Sequence, residues 1–372
     1  MNGFDLLPAL DPTPNPGPVW LFQVLLVFTW VLHALFMNLT LGGTLMAAVA
    51  QLASRGRAGD HRTALAARMS TINSYGIAFT ITTGIAPLLF VQVIYHQTFY
   101  AATILIGGAW LGMLGLLMVG YYSAYLYKFR GAPTRGSGGT LWLVVAAVLF
   151  FCIAMVQVAV NLIHSQPGEW LSVAANGWAA LSDPTYVPRL LHFVLGGIAL
   201  TAGLVSWWAV RKARQGEEVD LNESIARHAW KWAMGAIFLQ VPDGFVFLML
   251  LPRDVLSGLM GNVWVVVPFA VGVFLALGLL LMLARIPNPV EKPGAVNGVL
   301  GAMVLTLAVM AITRHQVRML YLKPFTTDLE WVMAPQWGNF VLFALLLVVA
   351  LATVGWMVRE VNRSQATGED AA

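Results

Sequence analysis

The sequence predicts an all-α integral membrane protein: a nine-span helical bundle with its N-terminus outside and its C-terminus inside. Three observations carry this. The 372 residues are 59% hydrophobic and only 10% charged, against about 25% charged in a soluble domain. Such a chain cannot cover a water-facing surface, so most of it faces lipid or other helices. The apolar residues fall into nine runs, each long enough to cross a bilayer core of about 30 Å as a helix. Lysine and arginine then alternate between crowded and sparse connections, as the positive-inside rule requires.

The nine runs cover approximately 18–53, 71–96, 99–129, 140–163, 188–212, 229–251, 262–284, 294–316 and 334–358. The first is longer than a span needs and is expected to tilt or protrude. Strands are excluded, because the runs exceed strand length and do not alternate as barrel strands do. With the N-terminus outside, the inner segments hold Arg55, Arg57, Arg62 and Arg68, then Lys128, Arg130 and Arg135, then Arg211, Lys212, Arg214, Arg227 and Lys231, then Arg285 and Lys292, and finally Arg359 and Arg363. The outer side keeps Arg189, Arg253, Arg314, Arg318 and Lys323.

Residues 1–17 form an external segment with Asp5, Asp11 and several prolines but no Lys or Arg. That is the wrong start for a cleavable signal peptide. Residues 18–358 are the transmembrane domain and 359–372 a cytoplasmic tail, whose polar end from Asn362 is expected to be disordered. The longest connections, 164–187 and 317–333, contain Trp170, Trp178, Pro184, Pro324 and Trp331 and are expected to be ordered caps at the outer face. The one cysteine, Cys152, excludes an internal disulfide, a c-type haem attachment site and a cysteine-rich metal cluster. It reads as a small buried hydrophobe. Nothing points to a nucleic-acid partner.

Chemistry can reside in few places. Of seven histidines, His61 and His228 sit in or beside basic inner loops and read as solvated. His33 lies mid-helix in "WVLHALFMNLTLGG", while His96, His164, His192 and His315 are expected at outer ends of spans. Ionisable groups in spans are costly and often functional, and imidazole is a usual ligand of haem iron. In "LLHFVLGGIALTAGL", His192 is followed by Gly196, Ala199 and Gly203 on its own helix face. Such a stripe suits either a flat macrocycle or close helix packing. Gly108 and Gly112 lack a nearby ligand, and packing is the better reading there. Asp243 follows Pro242 in the sixth span, where a kink is expected. Its carboxylate is a proton or quinone site, or a cap on the kink. Arg314, closing the eighth span, neutralises a haem propionate or anchors the helix at the interface.

The segment "LHALFMNLTLGGTLMA" resembles the first helix of cytochrome bd-type quinol oxidase subunit I, whose His-x-Leu-Phe-x-x-Leu-Thr-x-Gly pattern here reads His33, Leu35, Phe36, Leu39, Thr40 and Gly42. "YGIAFTITTGIAPLLFVQ" resembles the second helix, with Gln92 at the family's glutamine, and "LLHFVLGGIALTAGLVSWWAVRK" resembles the fifth. The resemblance implies nine spans, an external N-terminus, haems near the outer face, and His33 and His192 as iron ligands. The chain also departs from the family. The third span carries no glutamate, and the seventh offers Pro268 and Ala270 but no axial methionine. The eighth has Ala311 or Ile312 where the family has a glutamate, although Arg314 and Gln316 persist, and the quinol loop is cut to Pro252–Asn262. His315, one turn on, is a substitute ligand, and so are His96 and His164.

The resulting expectation is a divergent bd-like b-type haem subunit that relays electrons between membrane quinone and a partner at the outer face. Its cofactor would be one or more haem b, with quinone as substrate; Gln92 and Asp243 are the quinone or proton candidates. A second membrane subunit and an external redox protein such as a cytochrome c are expected partners, beside lipid. Alternatives are a divergent terminal quinol oxidase, a haem-free quinone-binding membrane anchor and, last, a transporter.

Overall fold

The computed structural model describes residues 14–55, 57, 59–130, 138–326 and 333–369. Trp331, Arg135 and most of the external N-terminal segment lie outside them. Among the described residues the chain is helical throughout, and nine helices have the length and apolarity to cross a membrane. A bilayer leaves no water to satisfy backbone N–H and C=O groups, so an apolar chain of this kind must bond its backbone within helices.

The helices are α1 (Val19–Ser54), α2 (His61–Ile94), α3 (His96–Leu105), α4 (Gly107–Arg130), α5 (Gly138–Ser165), α6 (Trp170–Ala175), α7 (Tyr186–Arg214), α8 (Val219–Met249), α9 (Arg253–Gly261), α10 (Val263–Ala284), α11 (Pro293–Thr326) and α12 (Trp337–Glu369). The short α3, α6 and α9 each follow a span that ends on the side where α1 begins. That end of the bundle is therefore roofed by short helices, while at the opposite end the described α7–α8 connection, 215–218, is a tight turn. The connection 164–187 is ordered as expected: two 3-10 turns flank α6, and buried Trp170 donates its indole N–H to the Ile163 carbonyl at 2.9 Å. Before α12, the Ala334 and Gln336 amides donate to the carbonyls of Asn15 and Pro16.

α1 is the central helix, packed on α2 and α7 and touching α5 and α11. Small residues set the α1–α7 seam. A Cβ on Gly42 would stand 2.5 Å from the Gly197 carbonyl oxygen, so the two backbones meet with no side chain between them. Thr201 Oγ1 donates across this seam to the Asn38 carbonyl at 2.8 Å. Between α1 and α2, the Thr40 and Thr80 hydroxyls lie 3.0 Å apart, and the Asn73 amide meets Thr44 Oγ1 at 2.9 Å. Without a hydrophobic drive between helices in lipid, close packing of small residues and such interhelical bonds hold the bundle together.

The structure corrects the expected boundaries. α2 begins ten residues earlier than its apolar run, on an Asp60 cap whose carboxylate accepts from the Arg62 amide. The run 99–129 is divided at Ile106 into α3 and α4. α11 continues to Thr326, so Arg314 and His315 do not close the eighth span but lie well inside the helix. The polar residues there face other helices rather than water, a distinction hydropathy does not register. α8 runs through Pro242 without interruption, and α12 remains helical past Asn362, where disorder was expected. Gly108 and Gly112 have no neighbouring atoms within 4 Å and so do not serve packing: their face of α4 looks out of the bundle. Cys152 is only half-buried.

Candidate functional site

A cavity of about 270 Å³ opens between α1, α7, α8, α10 and α11, near the roofed end. Its walls are largely apolar. The polar groups reaching it include His192 and Arg189 of α7, Arg314 of α11, Gln240 of α8 and the amides Asn38 and Asn161. No Asp or Glu lines it.

His192 sits in the second turn of α7, where the helix enters the bundle. Its Nδ1 is buried and lies 3.3 Å from Asp243 Oδ2 on α8. α8 can come this close because residue 244 is glycine: a Cβ there would stand 3.1 Å from His192 Cε1. Gly196 likewise lets Gln240 approach, and its amide donates to the His192 carbonyl at 3.2 Å. Of the small-residue stripe, Gly196 and Ala199 line the cavity beside His192. Gly203 instead receives the Met303 thioether of α11, which a Cβ would meet at 2.5 Å, so both readings of the stripe hold along its length.

Among the described residues, the acids near the cavity are few: Asp183 acts on Arg189 from beyond ion-pairing distance, and Asp243 lies beside His192. Arg314 stacks on the Trp30 ring at 4.6 Å, and Arg189 on the Phe247 ring at 4.9 Å, with a 3.3 Å hydrogen bond to Asn161 Oδ1. Arg318, one turn beyond Arg314, is 7% exposed and lies over Tyr95 at 5.7 Å. Among the described residues none of the three has a carboxylate within ion-pairing distance. Burying an unpaired cation costs several kcal/mol, so this arrangement needs an anion or extensive hydrogen bonding.

The other sequence candidates are dispersed. His33 does not line this cavity. Its ring lies against α2, where a Cβ on Gly84 would stand 2.9 Å from His33 Cε1, and its buried Nδ1 makes no hydrogen bond. His164 and His315 form a separate cluster about Tyr95, with ring centroids 5.6 and 6.3 Å from it. They are 1% and 8% exposed, and all four of their nitrogens lack hydrogen-bond partners. His96 opens α3 with a buried, unpartnered Nε2. Gln92 is half-buried on α2 and makes no hydrogen bond among the described residues. Asp243 stands behind His192 and is not part of the cavity lining. His61 and His228, read as solvated, pack edge to face at 5.2 Å, and His228 Nε2 accepts from the Trp232 indole at 3.1 Å.

Sequence reading missed two groups here. Met303 and Met310 of α11 bring thioethers to the cavity wall. Attention to the seventh span, where a methionine is lacking, obscured that the eighth supplies two. Arg189, assigned to the outer side on charge grounds, also faces inward. The i, i+3 spacing of Arg189 and His192 was the available signal.

Fold and cavity together define a multi-pass, all-α membrane protein with a polar-headed apolar cavity at one end. No protein-family model matches the chain, and no curated protein matches its sequence. Among solved structures it is similar to the bd oxidase from Geobacillus thermodenitrificans, with 16% identity and a TM-score of 0.75 over 94% of this chain and 100% of that one. The chain therefore has a bd-oxidase-like fold.

Proposed function

We propose that the protein is a membrane electron-transfer subunit that holds haem b, with His192 as an iron ligand in the cavity between α1, α7, α8, α10 and α11. The observation that carries this is an imidazole and two guanidiniums, Arg189 and Arg314, around a largely apolar cavity, with no ion pair to either guanidinium among the described residues. The donor set fits haem: an apolar body, a nitrogen ligand and carboxylates each find a counterpart. The cavity volume lies near the low end of ligand pockets, about 300–1,000 Å³. Bound haem would supply one-electron redox chemistry.

The chain's own contribution is binding and electrostatics. His192 would offer Nε2, with Asp243 3.3 Å from its Nδ1. Arg189 and Arg314 would hold the propionate charge. Apolar walls from α8, α10 and α11 exclude water, which strengthens each of these interactions. Met310, which also lines the cavity, is the candidate second ligand; Met303 packs against Gly203, about 16 Å along α7 from His192. His33, on the α1–α2 side, is the candidate ligand of a second haem. An electron-relay role is favoured over oxygen reduction because the third span carries no glutamate and the eighth has Ala311 or Ile312 where the family has one. Quinone exchange, a second membrane subunit and an outer-face redox partner belong to this reading as its expected surroundings. So do an N-terminus and a roofed end on the outer side.

Reduced-minus-oxidised spectra of the purified protein test the proposal. A b-type band that disappears in His192→Ala is expected. Absence of any such band in a preparation supplied with haem overturns it.

A further inference from the structure

The electron-transfer reading leaves Asp243 without a role, and the geometry around it assigns one. Asp243 Oδ2 lies 3.3 Å from His192 Nδ1, within ion-pair distance but not aligned as a hydrogen bond, and neither buried atom has a hydrogen-bond partner elsewhere. The carboxylate is 11% exposed, against 30% for the imidazole. A cap on the proline kink is a poor account of it. Pro242 lacks an N–H and so leaves the carbonyl of Phe238, an acceptor, without its helical donor. An ionised carboxylate is also only an acceptor and cannot satisfy that carbonyl. A quinone-contact role is equally poor, because Asp243 stands behind the imidazole and not in the cavity lining.

We propose that Asp243 is a positioning residue for His192: it accepts the Nδ1 proton, fixes the tautomer that presents Nε2 to the cavity, and adds negative charge behind the ligand. Two consecutive residues of α8 build this arrangement. Asp243 supplies the carboxylate, and Gly244 leaves the space into which the ring fits. Carboxylates behind ligating histidines orient the ring and raise its basicity, and their loss typically weakens metal binding by about 10–100-fold. A more basic imidazole favours the ferric state, so Asp243 holds the potential of the haem down. This inference rests on His192 ligating haem, and its test separates the two.

The experiment uses the purified full-length protein carrying haem, as wild type, His192→Ala, Asp243→Asn and Asp243→Glu. Asp243→Asn keeps the size and an acceptor oxygen but removes the charge. It is expected to retain the b-type band while its midpoint potential rises, by about tenfold in the redox equilibrium constant, or 59 mV for one electron. Asp243→Glu is expected to restore the wild-type potential more closely than Asn does. If Asp243→Asn lowers thermal stability yet leaves the potential and the low-spin electron paramagnetic resonance signal unchanged, the carboxylate is only structural and the inference fails. In that outcome, loss of a b-type component in His192→Ala keeps the haem reading intact. If His192→Ala loses no b-type component, both fall.

Discussion

Arginine has opposite surroundings at the two ends of this bundle. At the end opposite the roof, each of three arginines has an acid. Arg62 pairs with Asp60 at 2.6 Å, Arg68 with Glu218, and Arg227 with Glu223 at 3.3 Å. Lys212 pairs with Glu217 at 2.6 Å in the same region. At the roofed end half-buried Arg189 and Arg314 and buried Arg318 lie against aromatic rings, with no carboxylate at ion-pairing distance among the described residues. Pairing is not universal at the other end, where Arg211 stacks on Trp207 instead. Among the described residues, the roofed end holds more guanidinium charge than nearby carboxylate. Under the proposed function, that difference separates charges that finish a fold from charges that meet a ligand.

The largest expected effect is at the roofed end. His192→Ala removes one b-type component from the difference spectrum, and His33→Ala removes a different one; loss of the same component in both variants would show a single site. Next, Arg189→Leu and Arg314→Leu are expected to act in opposite senses on the two forms of the protein. Removing an uncompensated buried charge stabilises the haem-free form by about 1–4 kcal/mol, seen as a higher melting temperature in detergent, while haem dissociates more readily. A destabilised haem-free form would mean that the guanidiniums are already neutralised by protein groups.

Gly42→Val places a side chain against the Gly197 backbone and is expected to destabilise by about 1–3 kcal/mol, equally with and without haem, because the seam holds the scaffold and not the ligand. A smaller effect is expected at the paired end. Arg68→Ala is expected to change stability by less than about 1 kcal/mol, because Glu218 is largely exposed, and the change shrinks further in salt. Smallest is the acid response of Asp60, whose carboxyl is held down at about 2, against an ordinary 3.8, by its hydrogen bond to Arg62. A depressed carboxyl contributes stability that is present above pH 4 and lost as pH falls from about 4 through about 2. Asp60→Asn is expected to flatten melting temperature against pH in that window only.

Much of the paired end was legible from sequence. A basic cluster in a short connection reads directly from its residues, although the Asp60 cap that starts α2 ten residues before its apolar run was missed. The nine spans were legible for the same reason: apolar length is a one-dimensional property. The roofed end was legible in part. His33 and His192 stood out because each is an imidazole in an apolar run, and Gly196 and Ala199 followed from helical periodicity. Arg314 and His315 were misplaced at a helix end, since a polar residue facing a polar interior and one facing the interface contribute the same hydropathy. Gly108 and Gly112 were read as packing residues, but a small-residue spacing records only that close approach is permitted, not that a neighbour is there.

The sequence by itself determined the class and the count: an all-α membrane chain of nine spans, with histidines among them. The bilayer imposes length, apolarity and internal backbone bonding on each segment separately, so each can be read alone. Only the tertiary structure decided which histidine shares a cavity with unpaired arginines, which methionines face it, and that Asp243 stands behind His192. Those relations join α7 to α8 and α11 through side chains far apart in sequence. They depend on helix rotation and close approach at residues such as Gly244 and Gly42, which apolar periodicity does not encode.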